Sequence, residues 1–115
     1  MNKVSKYKAL SHYQWGEACD GWNLADEKGL SVKQERMPAH TSEKEHYHQQ
    51  AQQFFFILKG KARFKVEEEL LELSEGEGLH IAAGKKHRIS NVSEEDLEFI
   101  LCSHPATTGD RINCE

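Results

Sequence analysis

His46-Tyr47-His48, followed by Gln53 and Gly60 and answered downstream by Gly76, Gly84, His87 and Asn91, is the stretch whose reading decides the fold. Two histidines one residue apart lie on the same face of a strand, about 6.6 Å apart along it, so both imidazoles can converge on one ion. On a helix the same pair would splay apart. Parity adds a constraint. His48 and Gln53 are separated by an odd number of positions and would face opposite sides of one unbroken strand. A break between them is required, and the polar Gln49-Gln50-Ala51-Gln52 supplies it. Beyond the break, Gln53, Phe55 and Ile57 share one face and Phe54, Phe56 and Leu58 the other. If Gln53 points at an ion, Phe55 and Ile57 line the same wall, and the Phe54 row faces a second layer or a partner subunit. A homodimer is therefore expected.

Outward from this stretch, strand signals dominate. Apolar runs of four to six residues alternate with short polar or glycine-bearing breaks at Phe54 to Leu58, Ala62 to Val66, Leu70 to Leu73, Leu79 to Ala82, His87 to Ser90 and Leu97 to Cys102. Earlier strands are expected at Trp22 to Ala25 and Leu30 to Met37, the latter ended by Pro38 before a polar Thr41-Ser42-Glu43 loop. No segment carries a helical period. Regular short strands of this kind imply an antiparallel sandwich or barrel, an all-β fold. The acidic runs Glu67-Glu68-Glu69 and Glu94-Glu95-Asp96 sit between apolar segments and read as solvated turns.

Composition bounds the function classes. The 115 residues suit one domain spanning 1-115, with no repeat or linker. A formal charge of −4 with scattered basic residues leaves no footprint for nucleic acid. No apolar run approaches the roughly 20 residues that span a bilayer, and no signal-peptide core follows the basic start, so the cytoplasm is the expected location. Cys19, Cys102 and Cys114 are odd in number and widely spaced, which argues for reduced thiols and against a disulfide framework or a thiolate zinc cluster.

His46-x-His48-x4-Gln53-x6-Gly60, followed by Gly76-x5-Ala82-x-Gly84-x2-His87-x3-Asn91, resembles the two motifs of the cupin superfamily, small jelly-roll or double-stranded β-helix barrels. The match covers a motif core at 46-91, with a C-terminal tail at 104-115. The closest resemblance is to small single-domain cupins of the phosphomannose-isomerase-like, Cupin_2 type. Three positions depart from the pattern: His40 stands for the leading glycine, Gln53 for a glutamate and Ala82 for a proline. The register is kept throughout. The resemblance implies His46, His48, Gln53 and His87 as ligands of one divalent transition metal ion. It gives no ligand role to His12, His40, His80 or His104.

Glutamine in place of glutamate changes the chemistry expected. Three neutral imidazoles and an amide oxygen leave a divalent ion its full charge, which favours a small anionic or carbonyl-bearing ligand and Lewis-acid work on it. Such donors suit Zn, Ni, Fe, Mn or Co alike. A redox-neutral, isomerase-like or tautomerase-like enzyme acting on a small oxygenated, carbohydrate-derived or similar metabolite is the leading expectation. A non-catalytic binding module or sensor and a metal-dependent dioxygenase are the alternatives. An enzyme also needs an acid or base near the ion. On the strand at Leu30 to Met37, either Gln34 and Arg36 or Lys33, Glu35 and Met37 face inward. A tail folded over the barrel mouth would offer Asp110 and Arg111 as a clamp for an anion. Tyr13, Trp15 and Trp22 are candidates for an apolar wall of the cavity.

Overall fold

The computed structural model describes residues 1–114, and among them every regular element is a strand. In chain order these are β1 (Ser11–Trp15), β2 (Cys19–Glu27), β3 (Leu30–Met37), β4 (Thr41–Ser42), β5 (His46–His48) and β6 (Gln52–Lys59). The second half adds β7 (Ala62–Val66), β8 (Glu69–Leu73), β9 (Gly78–Ile81), β10 (His87–Asn91), β11 (Leu97–His104) and β12 (Arg111–Asn113). One sheet has the order β1-β2-β3-β11-β6-β9, the other β12-β5-β10-β7-β8, with β4 also paired to β10. All pairings are antiparallel.

The expected alternation along β6 is seen directly. Gln53, Phe55 and Ile57 are 5%, 3% and 0% exposed, whereas Phe54, Phe56 and Leu58 are 42%, 37% and 43% exposed. The inner row joins Met37, Phe64, Ile89, Leu97 and Phe99 in one core between the sheets. Phe55 links two of its rings, with ring centroids 5.0 Å from Phe64 and 5.7 Å from Phe99. The outer row is not covered by a second layer of the described residues.

Two turns explain why glycine stands where it does. Gly60 lies between β6 and β7 at φ 85°, where an added Cβ would meet the Asp96 carbonyl oxygen at 2.6 Å. Gly84, at φ 84°, donates its N–H to the His48 carbonyl at 2.7 Å and so ties the loop before β10 to the end of β5. The second acidic run forms a bend, and the first forms the β7–β8 turn and the start of β8.

Three short strands depart from the sequence expectation. Ser11–Trp15, Thr41–Ser42 and Arg111–Asn113 are strands, the second of them inside the expected polar loop. The C-terminal tail reaches the cavity between the sheets with Thr107 and Arg111, but as part of the second sheet: β11 runs on to His104, and β12 pairs with β5 through Arg111↔His48, Ile112↔Tyr47 and Asn113↔His46. β5 pairs with β10 on one side, and β12 satisfies the backbone groups of its other edge.

Candidate metal centre

Two strands bring the histidines together. His46 and His48 project from the same face of β5, and His87 opens β10 directly opposite His46 in the ladder. Their ring centroids are 4.4 Å apart for His46 and His87, 5.1 Å for His46 and His48, and 5.8 Å for His48 and His87. One nitrogen from each lies within 4.8 Å of the others. All three rings are buried. Gln53 reaches the same cavity from β6 in the facing sheet.

Hydrogen bonds from outside the cluster fix how the rings present themselves. His46 Nδ1 bonds the Lys44 carbonyl at 2.8 Å and His87 Nδ1 the Lys85 carbonyl at 2.9 Å. A carbonyl can only accept, so both rings carry their proton on Nδ1 and turn an Nε2 lone pair inward. Gln53 Nε2 donates to Ser103 Oγ at 3.1 Å, which turns its amide oxygen the other way. The result is a set of buried polar atoms without a partner: His48 Nδ1, Gln53 Oε1 and His87 Nε2. Such atoms cost about 1–3 kcal/mol each when left unmade. A cation accepting their lone pairs removes that cost, so the donor set fits a divalent ion of the zinc, nickel or iron type.

Burial also keeps these imidazoles uncharged. Loss of hydration lowers His46 to about 3 and His48 to about 4, and lowers His87 as well. Neutral imidazole is the form that binds metal.

The expected break between His48 and Gln53 is present and has a specific brace. β5 and β6 belong to different sheets. Asp110 holds the connection, its Oδ1 accepting from the Gln49 and Gln50 amides at 3.0 and 3.3 Å and its Oδ2 from Gln50 and Ala51 at 3.1 and 2.9 Å. The Ala51 amide, followed by those of Gln50 and Gln49, holds this carboxyl below its usual range. Asp110 is therefore no half of an anion clamp, because its oxygens are occupied by backbone. Asp110→Ala should leave the barrel folded but lower metal affinity about tenfold, as loss of an outer support typically does. Competition against a chelating dye measures this, and unchanged affinity would refute the bracing role.

The remaining candidates separate cleanly. Arg111 lines the cavity, with its guanidinium 4.0 Å from Glu43. Arg36 is corrected: it lies on the outer face of β3 and is held by Asp20 at 2.6 Å and Asp96 at 3.3 Å. The inward set on that strand is Lys33, Glu35 and Met37, the first two lining the cavity and Met37 entering the core. Tyr13 and Trp15 line the cavity as expected, whereas Trp22 stacks on His12 instead, at 5.4 Å. His80 and His104 are exposed and take no part. Together the lining residues enclose a cavity of about 280 Å³.

Glu43 was not legible as a site residue. Parity counted back from His46 puts it on the outer face, but residues 43–45, which belong to neither β4 nor β5, reset the phase. Its carboxylate accepts the Ile89 N–H at 3.1 Å and lies 3.9 Å from His46 Nδ1. Burial pushes it up to about 8, against that backbone hydrogen bond. The carboxyl that position 53 lacks thus stands one layer further out, behind His46.

A two-sheet antiparallel barrel with three imidazoles and an amide gathered in its mouth defines the class: a double-stranded β-helix protein with a cluster able to hold a metal ion. The chain belongs to the cupin family, since the family model described as "Cupin domain" matches residues 33–103. Among solved structures, the polyketide cyclase RemF from Streptomyces resistomycificus is similar over 100% of this chain and 86% of its own, at 14% identity and a TM-score of 0.82. A sugar phosphate isomerase of the cupin superfamily from Silicibacter pomeroyi matches over 91% of this chain and 76% of its own, at 14% identity and a TM-score of 0.78. At these identities the likeness is one of fold. The polyketide synthase CurC of Streptomyces cyaneus is 28% identical over 61 residues, 53% of this chain and 40% of its own. The chain spans about half or less of the length of the curated relatives it matches.

Proposed function

We propose that the chain is a metal-dependent, redox-neutral enzyme in which His46, His48, Gln53 and His87 hold one divalent transition metal ion. Its ligand is a small oxygenated metabolite bearing a carbonyl or carboxylate oxygen. The observation that carries this reading is the trio of buried, unpartnered donor atoms, His48 Nδ1, Gln53 Oε1 and His87 Nε2, two of them on residues that line a cavity, His48 and Gln53. When bound, the ion would supply Lewis-acid stabilisation of negative charge developing on a substrate oxygen. The protein's own part is to orient and desolvate. Lys33 and Arg111 favour an anionic ligand, while Trp15, Phe55, Ile89 and Leu101 exclude water from one side of it. Two proteins of the same fold are described as a cyclase and an isomerase, names that fit redox-neutral chemistry. A homodimer belongs to this reading, supported by the exposed Phe54, Phe56 and Leu58 row. A monomeric mass in light scattering would count against it.

Gln53→Glu tests the charge argument. The variant should keep its metal and bind oxalate, a small dianion, at least about tenfold more weakly, because one added negative charge close to the ligand is worth more than the 1.4 kcal/mol that a factor of ten represents. Titration calorimetry reads the difference. Equal oxalate affinity in the two proteins would remove the reason for an anionic ligand.

A further inference from the structure

Outside the metal cluster, the cavity holds a second polar arrangement, contributed by the other sheet. Tyr13 on β1 and Glu35 on β3 are not neighbours in the sheet, because β2 runs between them. Both are nevertheless cross-strand partners of one residue, Gly21. A Cβ built on Gly21 would lie 2.0 Å from Tyr13 Cζ and 2.3 Å from its hydroxyl oxygen. The tyrosine ring thus lies across the strand in the space that a side chain would fill. Its hydroxyl there donates a short hydrogen bond to Glu35 Oε2. Any residue other than glycine at position 21 would close this path.

We propose that Glu35 is a general base in this cavity, that Tyr13 is the residue positioning it, and that Gly21 is the residue whose missing side chain lets the two meet. The proposal rests on the function proposed above and narrows its substrate class to small carbonyl compounds with an acidic C–H beside the carbonyl, such as a ketose or an α-keto acid. Several observations separate this pair from an ordinary structural hydrogen bond. Both side chains line the same cavity as His46 and His48, but from the facing sheet, which also carries Gln53, so a ligand between the walls meets the carboxyl on one side and the histidines on the other. The tyrosine occupies only one carboxyl oxygen, Oε2. Lys33, whose ammonium sits 5.5 Å from the Tyr13 ring centroid, lines the cavity beside them. Burial raises Glu35 above the usual carboxylate range despite the Tyr13 hydrogen bond and the Lys33 and Arg111 charges, making it a stronger base than a surface glutamate.

The step balances without an oxidant or a reductant. Glu35 takes the proton from the carbon beside the carbonyl, the C–H electron pair becomes the new C=C bond, and the carbonyl π pair moves onto oxygen to give an enolate. The Tyr13 hydroxyl keeps Oε2 fixed while the proton resides on the carboxyl. Replacement of the carboxyl proton by one from solvent before its return to the same carbon gives exchange; where that carbon also carries a hydroxyl, as in a ketose, transfer of the hydroxyl proton to the enolate oxygen and delivery of the carboxyl proton to the former carbonyl carbon gives the isomer.

Proton NMR in deuterium oxide tests this with dihydroxyacetone and pyruvate as probes, on the protein as purified, with metal content and melting temperature recorded for every variant. The wild type should wash out probe C–H signals faster than its chelator-treated control. Glu35→Gln should lower that rate about a hundredfold or more, within the range a positioned base supplies. Glu35→Asp should recover part of it. Tyr13→Phe and Gly21→Ala should each lower kcat about tenfold with KM within about twofold, with metal content unaltered in all four variants. Gly21→Ala matters because it displaces the phenol without deleting it. Exchange that survives in Glu35→Gln overturns the base assignment and leaves the metal-dependent function standing. A full rate in both Tyr13→Phe and Gly21→Ala overturns the positioning role. A metal-loaded wild type that exchanges neither probe overturns the substrate class, and a wild type that retains no metal overturns the reading beneath it.

Discussion

His46→Ala should purify with less than about a tenth of the metal carried by the wild type, in a barrel that is still folded. His46 is one of three imidazoles able to offer a nitrogen to a common point, and its Nδ1 bond to the Lys44 carbonyl already sets the other nitrogen as the donor. Loss of an outer support costs about 10–100-fold in metal affinity, so loss of a ligand itself should exceed about a hundredfold. The fold should survive. His46 sits at the cavity wall with Glu43 and Arg111 beside it, outside the apolar cluster formed by Phe55, Phe64 and Phe99. Elemental analysis alongside a far-ultraviolet circular dichroism spectrum separates the two effects. Undiminished metal in a folded variant would show that His46 is not a ligand.

Phe99→Ala should be the most damaging single core substitution, costing about 3–5 kcal/mol. Phe99 is fully buried in the middle of β11, between Glu35 of β3 and Ile57 of β6 in the ladder. Its ring packs 5.7 Å from Phe55, whose other face is 6.3 Å from His87. A cavity there removes support from both sheets and from the ring behind the metal cluster. Domains of this size have about 5–15 kcal/mol in total, and each kcal/mol is worth roughly 4–8 °C in melting temperature. A fall of about 15 °C or more is expected in a thermal melt. A fall under about 5 °C would mean that the core closes around the gap and that Phe99 is not its centre.

What could be read from sequence follows from how local each signal is. The alternation over Gln53 to Leu58 is a property of one strand, and the observed burial repeats it residue by residue. The break after His48 was legible for the same reason, as a parity conflict inside a few residues. By contrast, β12 is a strand only because β5 needs a neighbour, and nothing in Arg111-Ile112-Asn113 announces a pairing with residues more than sixty positions earlier. Asp110 looked like a clamp because its carboxylate was counted as free, whereas three amides of the 49–51 turn use it. On β3 the sequence offered two faces and could not choose, and pairing placed Glu35 inside and Arg36 outside. Glu43 escaped because strand phase does not carry across the non-strand residues between β4 and β5. The Tyr13–Glu35 contact needs Gly21 between them, a relation of three strands that no single segment contains.

We propose that the buried, unpartnered donors of His48, Gln53 and His87, together with His46, hold a metal ion. Elemental analysis of wild-type protein purified without chelators and without added metal tests it most directly. Close to one transition metal ion per chain is expected, removed by chelation and restored by a single equivalent of the same ion. Protein that emerges metal-free, and that fails to take up zinc, nickel, iron, manganese or cobalt when each is offered in excess, would contradict it.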